Sequence, residues 1–197
     1  MYENSYKDIT LTYRPDLDLF LQLLADLDTD IELFALGGTA MILANIKEST
    51  KDIDFLTTMD YNEFHRLLQL AGLNEKNTSQ LCNTWLLNNQ IRIDFFYNAF
   101  ILGYNLPDDW KILSTYLKSI GKIKLYILNW YDITITKLAR SEQRDIFDIL
   151  FILKTQKIDF KILKQRYYMY APPSLISDYD LKFKHLEYKL KESGELQ

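Results

Sequence analysis

From Asp16 to Leu27 the apolar residues Leu17, Phe20, Leu21, Leu24 and Leu27 recur at helical spacing, and Pro15 suits a helix start. Ile31 to Leu36 is a short apolar run that stops at Gly37-Gly38. It predicts a buried strand and a tight turn, with a helix over Thr39–Asn45. Asp52–Thr57 reads as a second strand and Tyr61–Ala71 as a helix ending at Gly72. Trp85–Leu87 and Ile91–Tyr97, separated by Asn88-Asn89-Gln90, have the pattern of a hairpin, and Ile91, Ile93 and Phe95 alternate with Arg92, Asp94 and Phe96. Lys122–Leu128 is a further alternating strand. Beyond Trp130 the period becomes helical over Thr134–Lys154, Phe160–Tyr170 and, past Pro172-Pro173, Leu175–Leu190.

The fold class this predicts is α/β (α+β): a small mixed sheet flanked by helices, followed by a helical C-terminal appendage. The boundary falls near Trp130, giving a core over residues 1–129 and a helical subdomain over 130–197.

Composition narrows the classes. The chain is 48% hydrophobic and 25% charged, as expected for a packed core rather than disorder. The richest apolar stretch, Phe34 to Ala44, is too short to span a membrane and contains two glycines. The first residues, Met1 to Asp8, lack an apolar signal region, and the lone Cys82 rules out an internal disulfide. A cytoplasmic location without membrane attachment is the expectation. The net charge of −4 argues against a general nucleic-acid coat. Lys154–Gln197 nevertheless holds nine Lys or Arg against six Asp or Glu, so the acidic excess lies in the front of the chain. That asymmetry fits a metal centre beside a surface receiving a polyanion, and equally fits unevenly charged helix faces.

The chemistry concentrates in two segments and a third residue. On a strand, alternation sends Asp52 and Asp54 to one face and Ile53 and Phe55 to the other. Adjacent carboxylates repel, so such a pair calls for a cation or a shared proton. Hard oxygen ligands suit Mg²⁺ or Mn²⁺. Asp94, on the polar side of its strand, is positioned to complete the cluster. Three such groups can hold two ions roughly 3.5–4 Å apart, as in-line phosphoryl transfer requires. Gly37 and Gly38 would let a triphosphate approach the backbone at the start of a helix, with the Thr39 hydroxyl adding a hydrogen bond. Taken singly these features are ordinary, since Gly-Gly is usually just a turn and Asp94 also has Arg92 as a salt-bridge partner.

Together, Leu36-Gly37-Gly38, Asp52-Ile53-Asp54-Phe55 and Ile93-Asp94-Phe95 resemble the DNA polymerase β-like nucleotidyltransferase superfamily. The wording Gly37-Gly38-Thr39-Ala40 with Ser49-Thr50-Lys51-Asp52-Ile53-Asp54 looks like the AbiEii-type branch, which includes toxins of toxin–antitoxin systems. That branch also has a downstream Lys, an Arg-Asp pair and a further Asp, matched here by Lys137, Arg144-Asp145 and Asp148. The resemblance covers most of residues 31–153. The branch's upstream Arg is missing, since that stretch reads Ile46-Lys47-Glu48-Ser49, and a Lys lacks the guanidinium fork. Substrate choice therefore does not carry over.

The resemblance implies transfer of a nucleoside monophosphate from a nucleoside triphosphate to an RNA (tRNA) or protein acceptor, with an antitoxin as partner. Asp52 and Asp54 would hold both metals, while Asp94 would hold the ion that activates the acceptor and help take its proton. Lys137 would clamp the phosphates, and Gly37, Gly38, Thr39, Lys51, Arg144, Asp145 and Asp148 would complete the nucleotide site. On one continuous helix over Thr134–Lys154, Lys137, Arg144 and Asp148 would lie along nearly one line. The same residues also suit an exposed helix with ordinary i,i+4 pairs. Two other functions stay open: a catalytically weak RNA- or protein-binding module on the same fold, and, ranked lower, a metal nuclease. His65, His185 and Cys82 lack ligand or base companions, and Tyr167, Tyr168 and Tyr170 read first as packing residues.

Overall fold

The computed structural model describes residues 11–78 and 82–194; the Met1–Asp8 stretch read above lies outside them. In chain order the elements begin with β1 (Thr12–Tyr13), α1 (Arg14–Ala25), β2 (Ile31–Ala35), α2 (Gly37–Leu43), β3 (Ser49–Thr50), β4 (Ile53–Thr57) and α3 (Tyr61–Leu70). They continue with β5 (Asn74–Thr78), β6 (Asn83–Leu87), β7 (Ile91–Phe96), β8 (Phe100–Ile101), β9 (Tyr104–Asn105) and α4 (Trp110–Leu113). The chain then forms β10 (Thr115–Ile120), β11 (Ile123–Ile127), α5 (Trp130–Arg140), α6 (Gln143–Thr155), α7 (Phe160–Tyr170) and α8 (Tyr179–Glu192).

Backbone proximity groups these into two compact units. One is Met1–Asn98 with Thr115–Ile127; the other is Ala99–Ser114 with Leu128–Gln197. Residues 99–114, counted with the core in the sequence reading, thus cluster with the helices. The ties are specific: the Tyr104 hydroxyl donates to Asp132 at 3.0 Å, and the Leu175 amide donates to the Gly103 carbonyl at 2.7 Å.

The first unit is a mixed sheet of seven strands, ordered β10-β11-β2-β4-β7-β6-β5, flanked by helices. β4 runs antiparallel to β2 and parallel to β7, while β6 and β7 form the expected hairpin. Asn88 and Asn89, at φ of 53° and 58°, make its turn, because a short polar side chain tolerates the left-handed region. The sequence pattern foresaw the five inner strands and missed β5 and β10 at the two edges. β5 is Asn-Glu-Lys-Asn-Thr, and β10 is largely exposed, so neither shows the apolar alternation that marks a half-buried strand.

Phe20 of α1, Phe55 of β4 and Phe95 of β7 form an aromatic cluster with ring centroids 6.0–6.3 Å apart, and Phe64 of α3 meets Phe95 edge-on at 4.7 Å. All four rings are fully buried. Removing the Phe95 ring would cost about 3–5 kcal/mol.

In the second unit the single helix expected over Thr134–Lys154 is two. α5 ends at Ser141, whose φ of 58° is left-handed, and α6 restarts at once. The Asp145 carboxylate accepts from the Glu142 amide at 3.1 Å, capping the new helix. α8 begins at Tyr179 rather than Leu175, because Asp178, at a left-handed φ of 49°, interrupts the helical run. A buried charge network braces this unit. Arg166 grips the fully buried Asp132 through Nε and Nη2, both at 2.8 Å, and reaches Asp109 at 2.7 Å, while Asn129 donates to Asp132 at 3.1 Å. Burial, then the Asp132 charge, push the Tyr104 hydroxyl well up, so it remains a donor to Asp132.

Candidate active site

β4 and β7 lie in parallel register with Asp54 opposite Asp94 and Phe55 opposite Phe95. Alternation then puts the phenylalanines on the core face and the carboxylates on the other. Asp52 sits just before β4, and oxygens of Asp52, Asp54 and Asp94 all lie within 4.8 Å of one another. The three acids singled out in the sequence are therefore brought together. As a donor set of carboxylate oxygens, they fit a hard divalent cation.

The turn from β2 into α2 is laced to this cluster. The Leu36 amide donates to the Asp54 carbonyl at 3.3 Å, and the Asp54 amide donates to the Thr39 hydroxyl at 2.8 Å. Thr39 is fully buried. Its hydroxyl thus fixes the backbone of Asp54. Gly37 has φ of 56°, and a Cβ there would stand 2.8 Å from Asp54 Oδ2. A Cβ on Gly38 would stand 2.7 Å from the Thr50 Cβ, which cannot swing away. Both positions demand glycine because protein atoms already fill the space. Lys51 lies half-buried between β3 and β4.

Asp94, at 4% exposure, is the most enclosed of the three acids. Its Oδ1 accepts from the Thr84 hydroxyl at 2.7 Å and from Arg92 Nε at 3.0 Å, and its Oδ2 accepts from Arg92 Nη2 at 2.7 Å. Partial burial would by itself lower the Arg92 pKa, but the Asp94 hydrogen bond and the charges of Asp94 and Asp52 raise it overall. Thr84 was missed in the sequence reading. The signal was present: a hairpin turning at Asn88-Asn89-Gln90 pairs residue 84 with residue 94.

Lys137, Arg144, Asp145 and Asp148 belong to the second unit. Lys137 is 3% exposed, and its Nζ lies 2.6 Å from Asp148 Oδ2 and 3.8 Å from Asp145 Oδ1. The break at Ser141, not a shared helix face, brings them together. Arg144 stands apart from that group and pairs with Glu142 at 2.8 Å. Arg140, which the sequence reading left out, takes the Asp145 carboxylate in a two-pronged grip at 2.6 and 2.8 Å.

A seven-stranded mixed sheet carrying three acids beside a Gly-Gly turn is an arrangement suited to metal-assisted nucleotidyl transfer. Residues 15–195 match the family described as "Nucleotidyltransferase of unknown function (DUF6036)", and the chain belongs to it. Among solved structures, the chain is similar to ANT(2″)-Ia crystallised in complex with adenylyl-2″-tobramycin, at a TM-score of 0.58 and 11% identity over 85% of this chain and 97% of that one. The solution structure of the antibiotic-resistance factor ANT(2″)-Ia gives a TM-score of 0.60 and 11% identity, covering 92% of this chain and all of that one. At that identity the likeness is one of fold. No curated protein sequence matches the chain. Among the described residues, no helix is long and apolar enough to cross a membrane.

Proposed function

We propose that this enzyme transfers a nucleoside monophosphate from a nucleoside triphosphate to an RNA (tRNA) or protein hydroxyl, as a toxin of the AbiEii type with an antitoxin partner. The observation that carries the reading is the convergence of Asp52, Asp54 and Asp94 within 4.8 Å beside Gly37. Family membership supports nucleotide transfer; the acceptor and the toxin role rest on the motif resemblance.

On this reading Asp52, Asp54 and Asp94 hold Mg²⁺ or Mn²⁺. When bound, such an ion neutralises phosphate charge and lowers the pKa of an attacking hydroxyl. The protein's part is to prepare the site. Thr39 fixes the Asp54 backbone, Thr84 and Arg92 fix the Asp94 carboxylate, and Gly37 with Gly38, assigned to the nucleotide by the motif resemblance, let their turn pack directly against Asp54 and Thr50. Lys51 supplies positive charge to the nucleotide; the motif resemblance gives Lys137 a phosphate-clamping role, and within the second unit Asp145 and Asp148 hold Lys137 in place. The motif resemblance also assigns Arg144 to nucleotide binding.

The test is incubation with each α-labelled nucleoside triphosphate, Mg²⁺ and separate acceptor panels of tRNA, cell protein and tobramycin. The aminoglycoside is included because ANT(2″)-Ia was crystallised with its adenylylated form. Label appearing on tRNA or protein, and abolished in Asp52→Ala and Asp54→Ala, supports the reading. Label on tobramycin alone would replace the macromolecular acceptor with a small one, and label unaffected by both substitutions would reject the site.

A further inference from the structure

The grip of Arg92 on Asp94 bears on how the acidic centre works. A carboxylate offers about four lone-pair directions. Three are taken here: Thr84 Oγ and Arg92 Nε fill both on Oδ1, and Arg92 Nη2 fills one on Oδ2. Among the described residues one direction is left, and it belongs to Oδ2. The guanidinium is also positive charge placed directly against the acidic trio, and the Asp52 carboxylate feels it as well. Three carboxylates this close need such a counter-charge to remain together without an ion.

We infer that Arg92 is a positioning residue and built-in counter-ion, which with Thr84 restricts Asp94 to binding a divalent cation through Oδ2 alone. This inference rests on the metal-site reading above. Arg92 has two separable effects. Its charge repels an incoming cation and so weakens metal binding, whereas its fork aims Oδ2 and so speeds turnover. Removing the side chain moves those two quantities in opposite directions. Loss of structure would instead depress both.

The experiment measures Mn²⁺ binding by the electron paramagnetic resonance of free Mn²⁺, alongside nucleotide transfer at saturating metal. In Arg92→Gln the Mn²⁺ dissociation constant is expected to fall by about threefold or more, as local positive charge is lost, while turnover drops. Arg92→Lys keeps the charge without the fork. It should bind Mn²⁺ like the parent and still turn over slowly. Thr84→Val should slow turnover and Thr84→Ser should restore it, which keeps the test open if Arg92→Gln fails to fold. A folded Arg92→Gln with unchanged or weaker Mn²⁺ binding overturns the inference while leaving the metal site standing. No Mn²⁺ binding by the parent protein overturns both.

Discussion

Asp54 and Asp94 are register partners on neighbouring parallel strands, so the backbone pairing of β4 and β7 sets the spacing of their carboxylates. Their separation is a property of the sheet rather than of flexible loops. Such a pair is held ready before any substrate arrives, which is where electrostatic catalysis gains most.

Asp54→Asn keeps the shape of the side chain and removes its charge. Transfer activity should fall by on the order of 10²–10³-fold, with the far-ultraviolet circular dichroism unchanged. A retained rate would take Asp54 out of the chemistry.

Gly37→Ala forces a Cβ into the left-handed region and to within 2.8 Å of Asp54 Oδ2. The backbone term alone is about 1–2 kcal/mol, visible as a lowered urea midpoint. Because the atom displaced belongs to Asp54, activity should fall by more than the lost stability accounts for. A variant as active as the parent per folded molecule would disprove that coupling.

Ser141 occupies a left-handed position at the break between α5 and α6. Ser141→Gly should stabilise the protein, by about 0.5–1 kcal/mol. Lys137→Met should do the reverse, costing about 3 kcal/mol, because Asp148 loses the buried ammonium 2.6 Å away, whereas Asp145 keeps Arg140. Equilibrium urea unfolding of both variants reads the two signs directly.

The hydrogen bond from Arg166, outweighing partial burial, holds the Asp109 carboxyl below its ordinary value. A depressed folded value means a contribution present above about pH 4 and lost as pH falls through it. Asp109→Asn should therefore shrink the drop in urea midpoint between about pH 5 and pH 3 relative to the parent. Parallel curves for the two proteins would exclude this contribution.

The site was legible where chemistry and strand periodicity coincide. Asp54 and Asp94 sit on the polar side of strands whose apolar side is unmistakable, and Asp52 stands directly before one of them, so the sequence predicted both the strands and the gathering of the acids. The helical motif was misread for a physical reason. Its apolar residues keep a helical period across Ser141, and only the local backbone of one serine and the capping by Asp145 interrupt it. Periodicity reports which face is buried; it is blind to a two-residue break that restarts nearly in phase. Arg140 escaped for another reason. Its partner Asp145 lies across the break at Ser141, and the spacing of one continuous helix does not bring the two together. Residues 99–114 were counted with the core over 1–129, and short strands such as Phe100–Ile101 say nothing about which partner they will meet.

Phe55 and Phe95 have a further effect beyond filling space. A slip of one residue between β4 and β7 would turn a ring out toward water and an acid in toward oil. Greasy side chains on one surface thereby police the alignment of charges on the other, and errors in pairing are punished as misfolding before they could emerge as a faulty enzyme. Swaps that preserve bulk at these two positions should therefore cost far less than a one-residue insertion in either strand, which would misplace every side chain beyond it.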